Sequence, residues 1–332
     1  MTARAFSRRY TTLRRMVDRH LATIVARGGP KDLTDACRYV LAGGGKRVRS
    51  TLLLLSCEAV GGRLKDALDA GAALETMHNF TLVHDDIMDH ASSRRGRATV
   101  HIRWDLNNAL LAGDTLLGLA YRSLLRTRSE SLPHLIALFT TGLIEVCEGQ
   151  ALDLEFEHRS DVTVDEYFAM IEKKTGRLIS MATEMGATIG GGSHAHVDAL
   201  RLFGHYLGRA FQLQDDLLDV VAEEKHFGKT IGGDIIEGKK TFLLLKAAER
   251  AAGKDRILLR KILRGGARGL GSNRTRVAAV TALYRRTGVL DETMDQIRRN
   301  TRKAVASLDA LPAGQATAML RWLSDSLIHR VS

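Results

Sequence analysis

The chain reads as an all-α protein, and three observations carry that reading. Three prolines, Pro30, Pro133 and Pro312, are all that interrupt 332 residues, and proline is the residue a helix interior tolerates least. The stretches between them space apolar residues three and four apart, which puts those residues on one helical face. Strand signals, meaning β-branched alternation bounded by turn pairs, are weak throughout. At 45% hydrophobic the chain can bury a large core. No composition shift marks a boundary, so a single domain over residues 1–332 is expected.

The first helix is predicted over about residues 5–27, with Leu13, Met16, Val17, Leu21, Ile24 and Val25 at helical spacing and Gly28-Gly29-Pro30 as its stop. Its arginines, from Arg4 to Arg19, read as a basic outer face, because a secretory signal needs an apolar core and a small-residue cleavage site. A second helix, capped by Asp32, runs through Cys37 and Leu41 to Gly43-Gly44-Gly45. Lys46, Arg47 and Arg49 follow, just ahead of the apolar run 51–55. Glycines and then cations at a helix start offer free N–H groups and a favourable dipole end, an arrangement suited to an anion. The spacing is not that of a P-loop; the plainer reading is a C-cap followed by a basic turn.

From Leu64 a long helix is predicted through Ala67, Ala70, Leu74, Met77 and His78 into Phe80-Thr81-Leu82-Val83-His84-Asp85-Asp86-Ile87-Met88-Asp89. Arg94-Arg95-Gly96 then opens a loop. Helices are expected from Ala112 and over 136–151, the latter carrying Gln150 towards Asp153. Residues 165–185 read as a helix with an inward kink at Lys173-Lys174-Thr175-Gly176. After Gly190-Gly191-Gly192 another helix leads to Gln212, Asp215, Asp216 and Asp219. Residues 227–241, rich in glycine with Lys229 and Lys239, read as a flap able to close over phosphates. Helices at 242–252, 277–286, 291–308 and 316–327 complete the chain, with Trp322 as a packing anchor.

Asp85 and Asp89 stand at i and i+4, so both carboxylates leave one helix face a turn apart, where like charges repel. Three carboxylates among apolar neighbours need a compensating cation, and all-oxygen ligands suit a hard ion such as Mg2+. One such string alone is commonly a solvated helix face. Asp215-Asp216-Leu217-Leu218-Asp219 repeats the pattern in a second apolar helix, and two strings can clamp a polyanion through bridging metals. Paired Arg94 and Arg95 just past the first string suit a doubly anionic group.

A net charge of +11 and a pI near 9.8 point to polyanionic partners. Nucleic acid is the generic partner, but zinc-finger spacing and an aromatic–basic RNA signature are absent, and diphosphate-bearing substrates satisfy the same electrostatics. Cys37, Cys57 and Cys147 lack ligand spacing and read as buried small hydrophobes in a reducing compartment. No apolar run is long enough to suggest a membrane span, so a cytoplasmic location is expected.

In order along the chain, Gly44-Gly45-Lys46-Arg47-Val48-Arg49, Asp85-Asp86-Ile87-Met88-Asp89, Arg94-Arg95-Gly96, Gly149-Gln150 with Asp153, Lys174-Thr175, Phe211-Gln212 with Asp215-Asp216-Asp219, and Gly233-Asp234 with Lys239 resemble the trans-isoprenyl diphosphate synthases of the polyprenyl synthase family. The resemblance implies an all-α helical bundle around a central cavity, the isoprenoid synthase fold, in a homodimer. It also implies three Mg2+ ions, with Asp85 and Asp89 ligating two and Asp215 the third, and Asp86, Asp216 and Asp219 beside them. Arg94, Lys174, Lys229 and Lys239 match positions that touch the allylic diphosphate; Lys46, Arg49, His78 and Arg95 match those that bind isopentenyl diphosphate. Thr175 and Gln212 would stabilise the allylic cation. Phe80, five residues before Asp85 and about 7.5 Å along the axis, would be the floor of the product cavity beside small Thr81, with Met77 a turn deeper. That pattern resembles geranylgeranyl makers and implies a C20 product, with C15 or longer chains as the alternative. Ser50 and Ala98 stand where the family often has proline, and Gly176 where alanine is common. A terpene cyclase would share the aspartate-rich site but leave Lys46, Arg49, His78 and Arg95 unexplained; a silent subunit or nucleic-acid binder would show damaged aspartate strings.

Overall fold

A computed structural model describes residues 2–25, 28–221, 232–265 and 272–328. The chain is helical almost throughout, as its proline-poor, helix-spaced sequence requires. The described residues divide into two compact units, the first comprising 1–143, 178–202 and 308–322 and the second 144–177, 203–307 and 323–332.

In the first unit, α1 (Ala3–Leu21), α2 (Lys31–Leu41), α3 (Val48–Ala59) and α6 (Leu106–Leu124) pack around α4 (Leu64–Met88). α1 buries Leu13, Val17 and Leu21 and leaves Arg4, Arg8, Arg15 and Arg19 exposed, the basic outer face expected of it. It ends at Leu21, earlier than predicted, and Pro30 rather than Asp32 precedes α2, whose start has no side-chain cap; Asp32 lies in the first turn. α3 and α4 are buried on nearly all sides, and small residues make that possible: a Cβ on Gly186 of α9 (Arg177–Ile189) would stand 2.2 Å from the Leu53 carbonyl oxygen of α3.

Between α4 and the short α5 (Val100–Arg103) the expected loop is a two-stranded antiparallel hairpin, β1 (Ser93–Arg94) and β2 (Arg97–Ala98). Arg95 (φ 54°) and Gly96 (φ 72°) form its turn, the pair of positive φ values that a two-residue hairpin favours. α6 begins at Leu106 rather than Ala112, because the Asp105 side chain accepts the Asn108 N–H and caps it.

α7 (Leu132–His158) also departs from expectation. It is long and apolar enough, by length and composition alone, to cross a membrane. Glu145 and Glu148 break any contiguous apolar run in the sequence, which hid this property. Cys37 and Cys57 are buried as predicted, but Cys147 on this helix is exposed.

The second unit is built on Phe156 and Val162, on α8 (Val164–Ile171), on α10 (His194–Val221) from Phe203 onward, and on α12 (Phe242–Arg250), α13 (Gly253–Gly265), α14 (Asn273–Arg286) and α15 (Val289–Ser307). α8 starts with a reciprocal Thr163–Glu166 capping box. The predicted kink is a π-helical turn, Glu172–Gly176, linking α8 to α9. Neither α11 (Gly233–Glu237) nor α13 was anticipated; glycines at their ends hid both. α16 (Gln315–Ile328) carries Trp322, stacked on Phe6 at 5.7 Å, the anchor foreseen for it.

Candidate active site

Four residues predicted to bind one diphosphate gather in the first unit. Gly44 (φ 73°), Gly45 (φ 133°) and Arg47 (φ 49°) turn the chain sharply between α2 and α3. The Arg95 side chain donates to the Gly44 carbonyl oxygen at 2.5 Å and lies against Gly45, where a Cβ would approach its guanidinium to 3.1 Å. Lys46 is exposed at the same turn, and Arg49 places Nη1 3.1 Å from Nε2 of His78 on α4. A guanidinium can only donate, so Nε2 accepts and the His78 proton sits on Nδ1. Burial, reinforced by Arg49, Arg95, Arg94 and Arg47, holds the His78 pKa well below its ordinary value. His78 is therefore a neutral ring whose buried Nδ1, like the Arg49 Nε, has no hydrogen-bond partner among the described residues. Polar atoms so placed suit an anion.

The first aspartate string closes α4. Asp89 is exposed and makes no ion pair or side-chain hydrogen bond among the described residues, whereas Asp86 is buried and accepts from the Arg94 Nε at 2.5 Å. Burial raises the Asp86 pKa, and Arg94 opposes that rise. Arg94 is thus tied back to the acidic string, while its neighbour Arg95 turns to the glycines. Upstream, Met77 is fully buried and Thr81 bonds back to the His78 carbonyl oxygen at 2.9 Å. Phe80 is buried and meets the His84 ring edge-on at 4.8 Å.

In the second unit the π-turn sets the geometry. It aims Lys174 at Asp153 of α7, with which it forms a short ion pair, and it brings the Thr175 hydroxyl to Oε1 of Gln212 on α10 at 2.8 Å. Gln212 in turn donates to Asp216 at 2.8 Å, and Asp216 also accepts from the Tyr167 hydroxyl at 2.6 Å. This chain fixes which way the Gln212 amide points. Asp216 is pushed up to about 7 by burial, against the pull of Tyr167 and Gln212 and with a further push from Asp215 and Asp153. Asp219 accepts the Gly233 and Asp234 N–H groups at 3.2 and 3.1 Å. Asp234 is driven well above its usual range by burial and by Asp216 and Asp219. Lys239 pairs with Glu237 at 3.0 Å and lies 4.0 Å from Asp234; burial works against its charge, but those two acids hold its pKa up. Asp215 is exposed and makes no ion pair or side-chain hydrogen bond among the described residues. Lys229 lies outside the described residues.

Residues 30–281 match the polyprenyl synthetase family. The chain belongs to that family. It is a prenyltransferase, and the family's chemistry is Mg2+-dependent. It is 40% identical over 316 residues to a short chain isoprenyl diphosphate synthase of Methanothermobacter thermautotrophicus, covering 95% of each chain. It is 43% identical over 228 residues to a geranylgeranyl diphosphate synthase of Methanosarcina mazei, covering 68% of this chain and 70% of that one. The crystal structure of geranylgeranyl pyrophosphate synthetase from Pyrococcus horikoshii superposes with a TM-score of 0.92 at 36% identity, covering 98% of this chain and 99% of that one.

The donor set fits Mg2+. Asp85, Asp89 and Asp215 offer carboxylate oxygens, and Mg2+ binds through one or two carboxylates plus water and substrate phosphate; among the described residues no group of three His, Cys, Asp or Glu side chains by itself forms a metal site. Burial first, and then the neighbouring aspartates, raise the pKa values of Asp216 and Asp234, so a cation bound beside them would relieve both.

Sequence reading passed over Tyr39, Glu75, Arg97, Tyr167 and the partners of Arg47. Glu75 offered one signal, the lone acid in the apolar stretch 70–80. Tyr39 and Arg97 offered none: the guanidinium lies 3.7 Å over the ring, and the Tyr39 hydroxyl donates to the Ala98 carbonyl oxygen at 2.8 Å, fastening the hairpin to α2.

Proposed function

We propose that the chain joins isopentenyl diphosphate to an allylic diphosphate head to tail, and that its main product is the all-trans C20 diphosphate. The cationic turn of Lys46, Arg49, His78 and Arg95 carries this reading, because it supplies an anion site without metal, separate in kind from the aspartate strings. One diphosphate is held by cations alone and the other by carboxylate-bound metal, so two like-charged substrates are bound at once. Names borne by the relatives support the C20 length, and Phe80 supplies a physical reason for it.

Asp85 and Asp89 would hold two Mg2+ ions and Asp215 a third, and the metal supplies charge neutralisation at the allylic diphosphate. Arg94, Lys174, Lys229 and Lys239 take up the rest of that charge as the allylic C–O bond breaks. Thr175 donates its hydroxyl hydrogen bond to Gln212 Oε1, so its lone pairs are available to the allylic cation. The isopentenyl double bond then forms the new C–C bond, and its C2 proton leaves to the released diphosphate. Water must stay out while the cation lives. We take the active form to be a homodimer and place it in the cytoplasm, where both water-soluble substrates are available.

The test is a product assay by chain length with isopentenyl diphosphate, Mg2+ and each allylic primer in turn. C20 is expected to dominate, Asp85→Ala to abolish turnover, and Phe80→Ala to lengthen the product. Hydrocarbon made from a single allylic diphosphate would overturn the reading, and an unchanged product ladder would remove Phe80 as the floor.

A further inference from the structure

Arg47 is the most deeply buried cation of the Gly44–Arg49 turn. Its side chain is 2% exposed and Glu75, its partner on α4, is 3% exposed. Its φ of 49° and ψ of 39° are left-handed, a conformation that residues with a Cβ enter at a cost and hold only when their surroundings dictate it. Here they do. Nε donates to Asp18 at 2.9 Å, Nη1 to Glu75 Oε1 at 3.1 Å and Nη2 to the Leu41 carbonyl oxygen at 2.8 Å. The Ser50 hydroxyl lies 3.2 Å from both Glu75 Oε2 and the Arg47 carbonyl oxygen, so it can hold the second carboxylate oxygen in place. Ser50 stands where proline is frequent in the family, and only a hydroxyl supplies this contact.

We infer that Arg47, Glu75 and Ser50 are positioning residues that lock the cationic turn and the His78 segment of α4 in register, and so set the affinity for the metal-free diphosphate. The inference rests on the reading of that pocket given above. Glu75 lies three residues before His78 on α4, and Arg47 two residues before Arg49 on α3. The clamp therefore joins the two elements whose side chains meet at the 3.1 Å Arg49–His78 contact. With the Arg47 side chain drawn inward, Lys46 is left on the outside of the turn. Asp85 is ten residues further along α4, roughly 15 Å at the helical rise. Loosening the clamp should accordingly disturb one substrate and spare the other.

The experiment compares wild type with Ser50→Ala, Glu75→Gln and Arg47→Lys. KM for isopentenyl diphosphate is expected to rise about three- to fivefold in Ser50→Ala and tenfold or more in the other two. KM for the allylic diphosphate and kcat at saturating isopentenyl diphosphate should stay within twofold of wild type. Ser50→Ala removes one hydroxyl and no charge, so it keeps the test decisive if the charge variants fail to fold. In parallel, inorganic pyrophosphate is titrated calorimetrically into each protein without metal, and its Kd should weaken in the same order. Both KM values moving together, or an unchanged pyrophosphate Kd in Ser50→Ala, would overturn the inference. A wild type that binds pyrophosphate this way but makes no prenyl product would instead defeat the functional reading and leave the clamp supported.

Discussion

His78 shows how a single side chain is tuned by what surrounds it. Burial and four arginines push its pKa well below 6.5, so the folded protein keeps the ring neutral while the unfolded chain protonates it near 6.5. As pH falls below that value the unfolded state binds a proton that the native state does not, and stability is lost with falling pH by up to about 1.4 kcal/mol per unit. Buried Asp216, raised to about 7, acts in the opposite sense, since its folded form takes up a proton first. Comparison with His78→Gln therefore isolates the histidine: wild type should lose more of its urea midpoint between pH 7 and pH 5 than the variant does. Equal losses would show that His78 already carries its proton when folded. At this scale the sequence was legible wherever charge type and spacing sufficed. Asp85, Asp89, Lys46 and Arg95 stand out as candidates because their neighbours in the chain define them. Glu75 was not, because its meaning comes from Arg47, 28 positions away.

Among the elements, the π-turn at 172–176 is the clearest case of a local irregularity that serves the site. A regular α-helix would rotate Lys174 and Thr175 off the directions that reach Asp153 and Gln212. Two glycines let the neighbouring helices close on it. A Cβ on Gly149 of α7 would stand 2.3 Å from the Lys174 backbone nitrogen, and one on Gly208 of α10 would stand 2.7 Å from the Gly176 Cα. Gly149→Ala should thus force the π-turn outward, costing about 1–3 kcal/mol as an overpacked core does. Its kcat should fall by more than its KM for isopentenyl diphosphate rises. A thermal melt and steady-state kinetics check this, and a wild-type Tm with wild-type kcat would show that the turn is not pinned there. The kink itself could be read from Lys-Lys-Thr-Gly among apolar residues. Its π character could not, because that depends on which glycines face it. The Arg95-Gly96 hairpin and α11 were missed for a related reason: arginine at positive φ and a five-residue helix between glycines carry no periodic signal.

At the scale of the whole molecule, periodicity and proline spacing determined the all-α fold, and ordered motifs determined the family. Patterns of exposure were not legible, because a buried and an exposed leucine look alike in a sequence. α6 illustrates this. Leu106, Leu110, Leu111 and Leu125 are 51, 42, 54 and 57% exposed and lie with Leu117 and Tyr121 along one side of the helix, interrupted by Asn107 and Asp114. Leu116 and Leu119 on the other side are buried. An apolar row of this length on a charged protein suits an interface, and in the homodimer proposed above a second copy of the same row would cover it across a two-fold axis. The double variant Leu106→Glu/Leu110→Glu sets like charges against each other across such an axis. Analytical ultracentrifugation should then give a monomer where wild type gives a dimer, and the variant's activity per chain should fall as the protein is diluted. A double variant that still sediments as the dimer would move the interface elsewhere.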